Sequence, residues 1–526
     1  MELKNVLVIN GFSQYDVLSD FANELAKGFK ENGVNVYFFD AKRLEDSKKD
    51  EAVKDVDFDM VISFNSMMFG GMDEIVKNPN VLWWSFLVDH PYFHLWRMLI
   101  PNNNYMISCV DNYHVEYIKK YHPNVNYSTF VAHGGNVPRI ETVPYEDRKY
   151  NVCLMGTMQE LAKFNDELNA LPQFEKEVMT LIFEQLTSGS NQTVEEMLDI
   201  VLKNSDIKLS KTEYTRFLSY VSFVDSYARA INRKTVVEKL LQAGIKVDVF
   251  GNGWDKIDIK NSENLVIHGN VPYEDVLKTM CNSKIILNTL PLFRDGSHER
   301  VFTSMLCGAV CVTEINEYLP KVLNHSEDLV YFDMNDLDTL ASNVKALLAN
   351  DELGKRISEN GKKKAEKHHT WACRAKEIID IAKSIEKIER NIYIEEETDE
   401  DYQFNSMITY IEKSPLKLMV EKAKASFASY EMTNNEYATE IKNWWVNNKR
   451  WDVKDVEGNI FFRDRVKEIK SNLEKYIEKY IQLTVEERKV FNALIRFKLY
   501  VKPNDLSVLQ QNKNYWKSFS DIVEIS

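Results

Sequence analysis

The feature that most constrains the fold is an alternation, repeated through two stretches of the chain, of short apolar runs with longer amphipathic ones. Between Lys4 and His133 the apolar runs are Asn5 to Asn10, Val34 to Phe39, Met60 to Asn65, Val81 to Val88, Tyr105 to Val110 and Tyr127 to Ala132. Short apolar runs separated by helical patterns read as parallel strands covered on both faces by helices. After the first run, Leu18, Phe21, Leu25 and Phe29 recur at helical spacing, and Gly33 follows as a C-cap. The pattern predicts an α/β fold that opens with a Rossmann-like half over residues 1–140.

The stretch NVPRIETVPYEDRK, residues 136–149, has two prolines, many charges and no apolar period, and reads as a linker. A second Rossmann-like half is expected over 150–390. It starts with a strand from Tyr150 to Met155, is interrupted by a helical insertion at about 160–230, and resumes with a helix from Arg233 to Ala243. Strands follow at Lys246 to Phe250, Leu265 to His268, Ile285 to Thr289, Ala309 to Thr313 and Leu329 to Phe332, and the pattern is helical from Leu337 to Glu389. Beyond the acidic run at Glu395 to Gln403, residues 404–526 read as a helical extension, with Leu473, Tyr476, Ile477, Tyr480 and Ile481 on one apolar face. A length of 526 residues suits about three such units.

Composition narrows the partners. With 80 acidic against 66 basic residues the net charge is -14, which disfavours nucleic acid. No window approaches the roughly 20 apolar residues of a membrane span, and MELKNVLVIN lacks the basic start and cleavage site of a signal peptide. The six cysteines match neither a zinc site nor a disulfide framework, so reduced thiols and a cytoplasmic location are expected. Nothing in the sequence fixes the oligomeric state.

The stretch most informative about chemistry is NTLPLFRDGSHERVFTSMLCGAVCVT, Asn288 to Thr313. A strand ends at Asn288-Thr289, a polar loop follows, and a helix begins near His298-Glu299-Arg300. A helix N-terminus offers unpaired amides and partial positive charge, and Arg300 adds a bidentate donor, so the segment suits a diphosphate. A capped helix, with Ser297 as N-cap and Arg300 in a surface ion pair, is the plainer alternative.

DGSHERVFTSMLCGAV resembles the second-domain motif of GT-B glycosyltransferases, especially the bacterial group similar to the spore-maturation glycosyltransferase CgeB. The similarity extends through VDVFGNGW (Val247 to Trp254), HGNVPYED (His268 to Asp275), EYLPKVL and LGKRISENGKKKAEKHHTWACRAKEI. It covers residues 150–160 and 233–380, whereas the first half shares only its topology and the segment WSFLVDHPYFH. The resemblance implies two Rossmann-like domains facing a cleft, and transfer of a sugar from a UDP- or GDP-linked donor to an acceptor such as a protein or a glycan, with no cofactor or metal. It further implies that Gly156 and Thr157 approach the diphosphate, that Gly251, Asn252 and Gly253 pass near the nucleoside, and that His268, Gly269 and Asn270 flank the base. Asn288 and the run Asp295, Gly296, Ser297, His298, Glu299 and Arg300 would hold sugar and phosphates. The first half would supply the acceptor side, with Gly11, His94 and His133.

Transfer with inversion needs a base for the acceptor proton. Asp89-His90-Pro91 follows an apolar strand and should emerge at its C-terminal end, where α/β sheets place ligands. Asp89 is the first candidate and His90 the second, with His298 a further catalytic candidate across the cleft; Asp89 as a helix cap is the plain alternative. His90 and His94 have the four-residue spacing of helical metal ligands, but no third ligand is evident. DVDFD, Asp55 to Asp59, stands before a strand and reads as a turn. Two other functions fit the same fold class: a nucleotide-sugar epimerase and a non-catalytic binding protein.

Overall fold

The computed structural model describes residues 3–385 apart from short stretches, the longest being 12–16, 44–51, 99–103 and 205–210; the expected extension at 404–526 lies outside the described residues. Among the described residues, twelve strands form two parallel sheets. The first orders its strands β2-β1-β3-β4-β5-β6, where β1 is Asn5–Asn10, β2 Asn35–Asp40, β3 Met60–Phe64, β4 Leu82–Leu87, β5 Tyr105–Cys109 and β6 Tyr127–Phe130. The second orders its strands β12-β11-β10-β7-β8-β9, with β7 at Tyr150–Met155, β8 Val247–Phe250, β9 Leu265–Ile267, β10 Ser283–Asn288, β11 Val310–Glu314 and β12 Val330–Phe332. The switch in strand order falls between β7 and β10, and the C-terminal ends of those two strands open a crevice.

The central strands MVISF, LWWSFL and YMISC are buried at every residue, because each sheet face has its own helical cover. Their period of two divides the first domain into two cores. Val6, Val8, Met60, Ile62, Leu82 and Trp84 pack beneath helix α1 (Val17–Glu31). Leu7, Ile9, Val61, Trp83 and Ile107 point to the other side.

That other side carries the insertion. Its helices are α3 (Ala162–Asn169), α4 (Gln173–Thr187), α5 (Val194–Asn204) and the start of α6 (Lys211–Gln242), after α2 (Asn112–Tyr121) of the first domain. Phe164, Ile182, Leu198, Leu218 and Val224 join the same core as Trp83 and Tyr117, and Tyr121 stacks on Tyr214 at 5.5 Å. By packing, the insertion therefore belongs to the first domain, although by sequence it interrupts the second. The helix expected to start at Arg233 is the far end of α6, where Val236, Val237, Leu240 and Leu241 enter the core of the second sheet. One continuous helix is rooted in both domains.

The second domain completes its layers with α7 (Tyr273–Cys281), α8 (Glu299–Leu306), α9 (Leu319–Val322), α10 (Leu337–Ala349) and α11 (Asp351–His368). The last described helix, α12 (Trp371–Ser384), crosses back to the first domain. Trp371 packs among Phe21, Phe64 and Phe86 and donates from Nε1 to Asn136 Oδ1 at 2.7 Å. All six cysteines are free, and among the described residues no helix is long and apolar enough to cross a membrane. In the expected turn before β3, Asp59 accepts the amides of Lys4 and Asn5 at 2.8 and 2.9 Å, which is a structural role.

Candidate active site

A cleft of about 640 Å³ lies between the two sheets, at the C-terminal ends of their strands. It brings together Asp89 after β4, His133 before the linker, Gly156 and Thr157 after β7, and His298, Glu299 and Arg300 at the start of α8. These are seven of the residues singled out from the sequence. Gly251 and Asn270 also reach it.

Three guanidiniums meet here. Arg300 Nη1 donates to Asn288 Oδ1 at 3.3 Å, and Arg300 Nη2 is 3.4 Å from His298 Nε2. Arg229 and Arg233, four residues apart on α6, present the other two. Arg229 is answered by Asp225, whose Oδ1 accepts from its Nε at 3.0 Å and whose Oδ2 lies 2.7 Å from its Nη2 as an ion pair. Arg233 donates through Nη1 to the Thr157 carbonyl, while its buried Nε has no hydrogen-bond partner. Burial and the adjacent charges of Arg300 and Arg229 push its pKa down to about 9. An anion in the cleft would relieve that crowding.

His298, not Ser297, caps α8: the Arg300 amide donates to His298 Nδ1 at 3.2 Å, and Glu299 sits against the same nitrogen. Burial pushes Glu299 up, but His298 and Arg300 outweigh it and hold its carboxyl at about 2. The N-terminus of α8 thus already faces a carboxylate, and the cationic character of the cleft rests on side chains more than on the helix.

Across the cleft, the Asp89 carboxylate accepts from Asn65 Nδ2 at 3.2 Å and lies 3.6 Å from His94 Nε2. Desolvation opposes its charge, but His94, Arg229 and His298 hold the carboxyl well below the usual carboxylate range. His133 is buried, and that burial holds its pKa down at about 4. Among the described residues no group of three His, Cys, Asp or Glu side chains is placed to hold a metal ion.

Several expected residues stand elsewhere. His90 turns away to the insertion, with Nε2 3.0 Å from Glu195 Oε1 and its ring stacked on Tyr92, because a buried imidazole needs a partner and α5 supplies one. His94 sits behind Asp89, and Gly11 packs against Met67. His268 stacks on Phe250 at 4.2 Å and pairs with Asp248 at 2.7 Å, one layer behind the cleft, and Gly269 accepts the Gly251 amide at 2.7 Å. Asn252 and Gly253 hold the β8 turn against the β7 turn: the Met158 amide donates to the Asn252 carbonyl at 2.8 Å. Asn288 is buried beneath Arg300.

The polar loop Asp295-Gly296-Ser297 is an interdomain seam, not part of the cleft lining. The Asp295 amide donates to Asp111 Oδ2 at 2.8 Å, Asn112 Nδ2 donates to Asp295 Oδ2 at 2.9 Å, and the Ser297 amide donates to the Val110 carbonyl at 3.2 Å. A side chain at Gly296 would collide with Val110 O, 2.1 Å from its Cβ position. Arg229, Arg233, Phe250, Tyr273 and Thr303 line the cleft without having been singled out beforehand. For the two arginines the available signal was a basic pair spaced four apart where the insertion meets the second half.

Residues 229–380 match the model of a family described as glycosyl transferase-like. This segment begins at Arg229 and contains Arg233, the Gly251 turn and α8. No curated protein matches the sequence. Among solved structures the chain is similar to a sucrose-phosphate synthase from Thermosynechococcus elongatus, at 9% identity over 72% of this chain and 98% of that one, TM-score 0.41. It is also similar to Anabaena HepE in complex with UDP and glucose, at 8% identity over 73% and 100%, TM-score 0.42. A third is an alpha-glucosyltransferase in complex with UDP and a 13-mer DNA, at 13% identity over 72% and 99%, TM-score 0.43. Likeness this distant carries nothing about chemistry. The chain's own two parallel sheets across one cleft have the GT-B form, and the match to the glycosyl transferase-like model falls on residues 229–380 of its second domain.

Proposed function

We propose that the protein transfers a sugar from a nucleotide-sugar donor to an acceptor hydroxyl across this cleft. The observation that carries the reading is Arg233, a guanidinium with no carboxylate partner among the described residues, set beside Arg300 and the β7 turn inside a glycosyl transferase-like domain. A diphosphate placed there would accept from both guanidiniums and neutralise their mutual repulsion. As the glycosidic bond breaks, charge builds on the leaving phosphate oxygen, so fixed cations favour the transition state over the intact donor. Phe250, Val271 and Val276 give the same wall an apolar face for the nucleoside.

Asp89 is the carboxylate opposite. Being held ionised, it is a weak base, and its proposed part is to orient the acceptor hydroxyl and take the proton as the new bond forms. Charge is met by arginine, so turnover should survive chelators. The run Asp295 to Arg300 supports a CgeB-like member within this class. The test is calorimetric titration with UDP and GDP, followed by hydrolysis assays on a panel of UDP- and GDP-sugars. Binding of one nucleotide with slow hydrolysis of its sugar is expected; no binding of either would sink the proposal.

A further inference from the structure

The two walls of the cleft differ in kind. Beside the apolar Phe250, Val271 and Val276, the second domain and α6 bring the charges of Arg229, Arg233, Glu299 and Arg300, whereas the first domain brings Val17, Leu18, Phe21, Met67 and Val88 with Asp89 as its charge. The Asn65 side chain on that wall is already engaged at both ends. Asn65 Oδ1 accepts from the Val88 amide at 3.0 Å while its Nδ2 donates to Asp89. The His133 ring lies against Phe21 and Trp371, with centroids at 5.1 and 5.3 Å, and its Nδ1 is 3.2 Å from the Gly134 carbonyl. The Asp89 carboxylate, 42% exposed, is what the wall offers a hydroxyl.

We infer that the acceptor presents a hydroxyl on an aromatic or aliphatic body, seated on Val17, Met67 and Val88 with that hydroxyl at Asp89; this rests on the glycosyl-transfer reading. A sugar acceptor would give up water around several hydroxyls and find one carboxylate in return, whereas an apolar body exchanges water for carbon. In the transfer, the acceptor oxygen bonds to the anomeric carbon and the bond from that carbon to the phosphate oxygen breaks. The electron pair leaves with the diphosphate, and the hydroxyl proton passes to Asp89.

The test uses the full chain, the nucleotide sugar it hydrolyses, and two acceptor probes: 4-methylumbelliferone, with one hydroxyl on a flat apolar ring, and glucose. The expected kcat/KM for 4-methylumbelliferone exceeds that for glucose by at least about tenfold. Met67→Gln and Val17→Thr should each lower that ratio several-fold; a variant that merely folds poorly lowers both rates and leaves the ratio unchanged. Equal or reversed preference in the wild type, or an unchanged ratio in both variants, overturns the inference. Binding of 4-methylumbelliferone is also read from its own fluorescence without donor. Binding with no nucleotide-sugar hydrolysis upholds the apolar site and sinks glycosyl transfer, whereas hydrolysis without binding or preference sinks the acceptor inference alone.

Discussion

Arg233 stands between two other guanidiniums, so its replacement should separate binding from folding. Arg233→Met keeps the helix and removes the repulsion, and the melting temperature should hold or rise. A charged hydrogen bond is worth about 1.5–3 kcal/mol, so affinity for the nucleoside diphosphate should fall by about tenfold or more in calorimetry. Lost stability with unchanged affinity would make Arg233 a structural residue. Asp89→Asn should keep donor affinity and lower turnover by about 100-fold or more, since an amide cannot take the proton; near-normal turnover ends that assignment. Asp111 titrates at the seam between the domains. Burial and the nearby Asp295 raise its pKa from 3.8 to about 7, against amide donors from Tyr113 and Asp295. The folded chain thus holds this proton more tightly than the unfolded one, and the stability it gives is complete below pH 3.8 and lost as pH rises through about 7. Against Asp111→Asn, the wild type should lose about 1 kcal/mol or more of relative stability between pH 4 and pH 8 in denaturant unfolding; a constant difference would count against the titration. The places of Asp89, Gly156 and Arg300 on the cleft were legible in the sequence because each follows a strand end or opens a helix. Asp295 to Ser297 stand at the seam between the domains, since a polar loop reads alike in sequence whether it faces a ligand or a second domain.

At the scale of elements, the paired turns after β7 and β8 hold the cleft's floor. Gly251 has φ 138°, and a Cβ there would lie 2.4 Å from Gly156 O. Gly251→Ala should therefore cost about 1–3 kcal/mol in denaturant unfolding and weaken nucleotide binding as the β7 turn is pushed aside. Unchanged unfolding and affinity would show that the turns tolerate separation. All twelve strands were expected from the sequence, most within one or two residues of their ends, since strands covered on both faces are written as uninterrupted apolar runs. Helix α6 was divided, its two halves credited to different units. Phe217, Leu218, Val221, Val224 and Tyr227 face one core and Val236, Val237, Leu240 and Leu241 another, so the apolar stripe changes partner along the helix and periodicity cannot follow it.

Among the described residues the chain itself crosses between the domains three times, in the linker, in α6 and before α12, and the seam of Asp111 with Asp295 adds to these ties. Trp371, 1% exposed, is the keystone of the third tie, and Trp371→Ala should cost about 3–5 kcal/mol, read as a lower melting temperature. A melting temperature within a degree of wild type would mean that α12 adds little to cohesion. The ties were invisible beforehand because each joins residues far apart in sequence, such as Phe21 and Trp371. Among them α6 has a consequence of its own. Thirty-two residues make a rod about 48 Å long, clamped at one end in each body. Any hinging of the domains must either flex that rod near Ser226 to Arg229, where it leaves one core for the other, or drag the insertion along as ballast. In the transfer proposed above, releasing the nucleotide would then work against the elasticity of a helix, and each turnover would keep time with a spring.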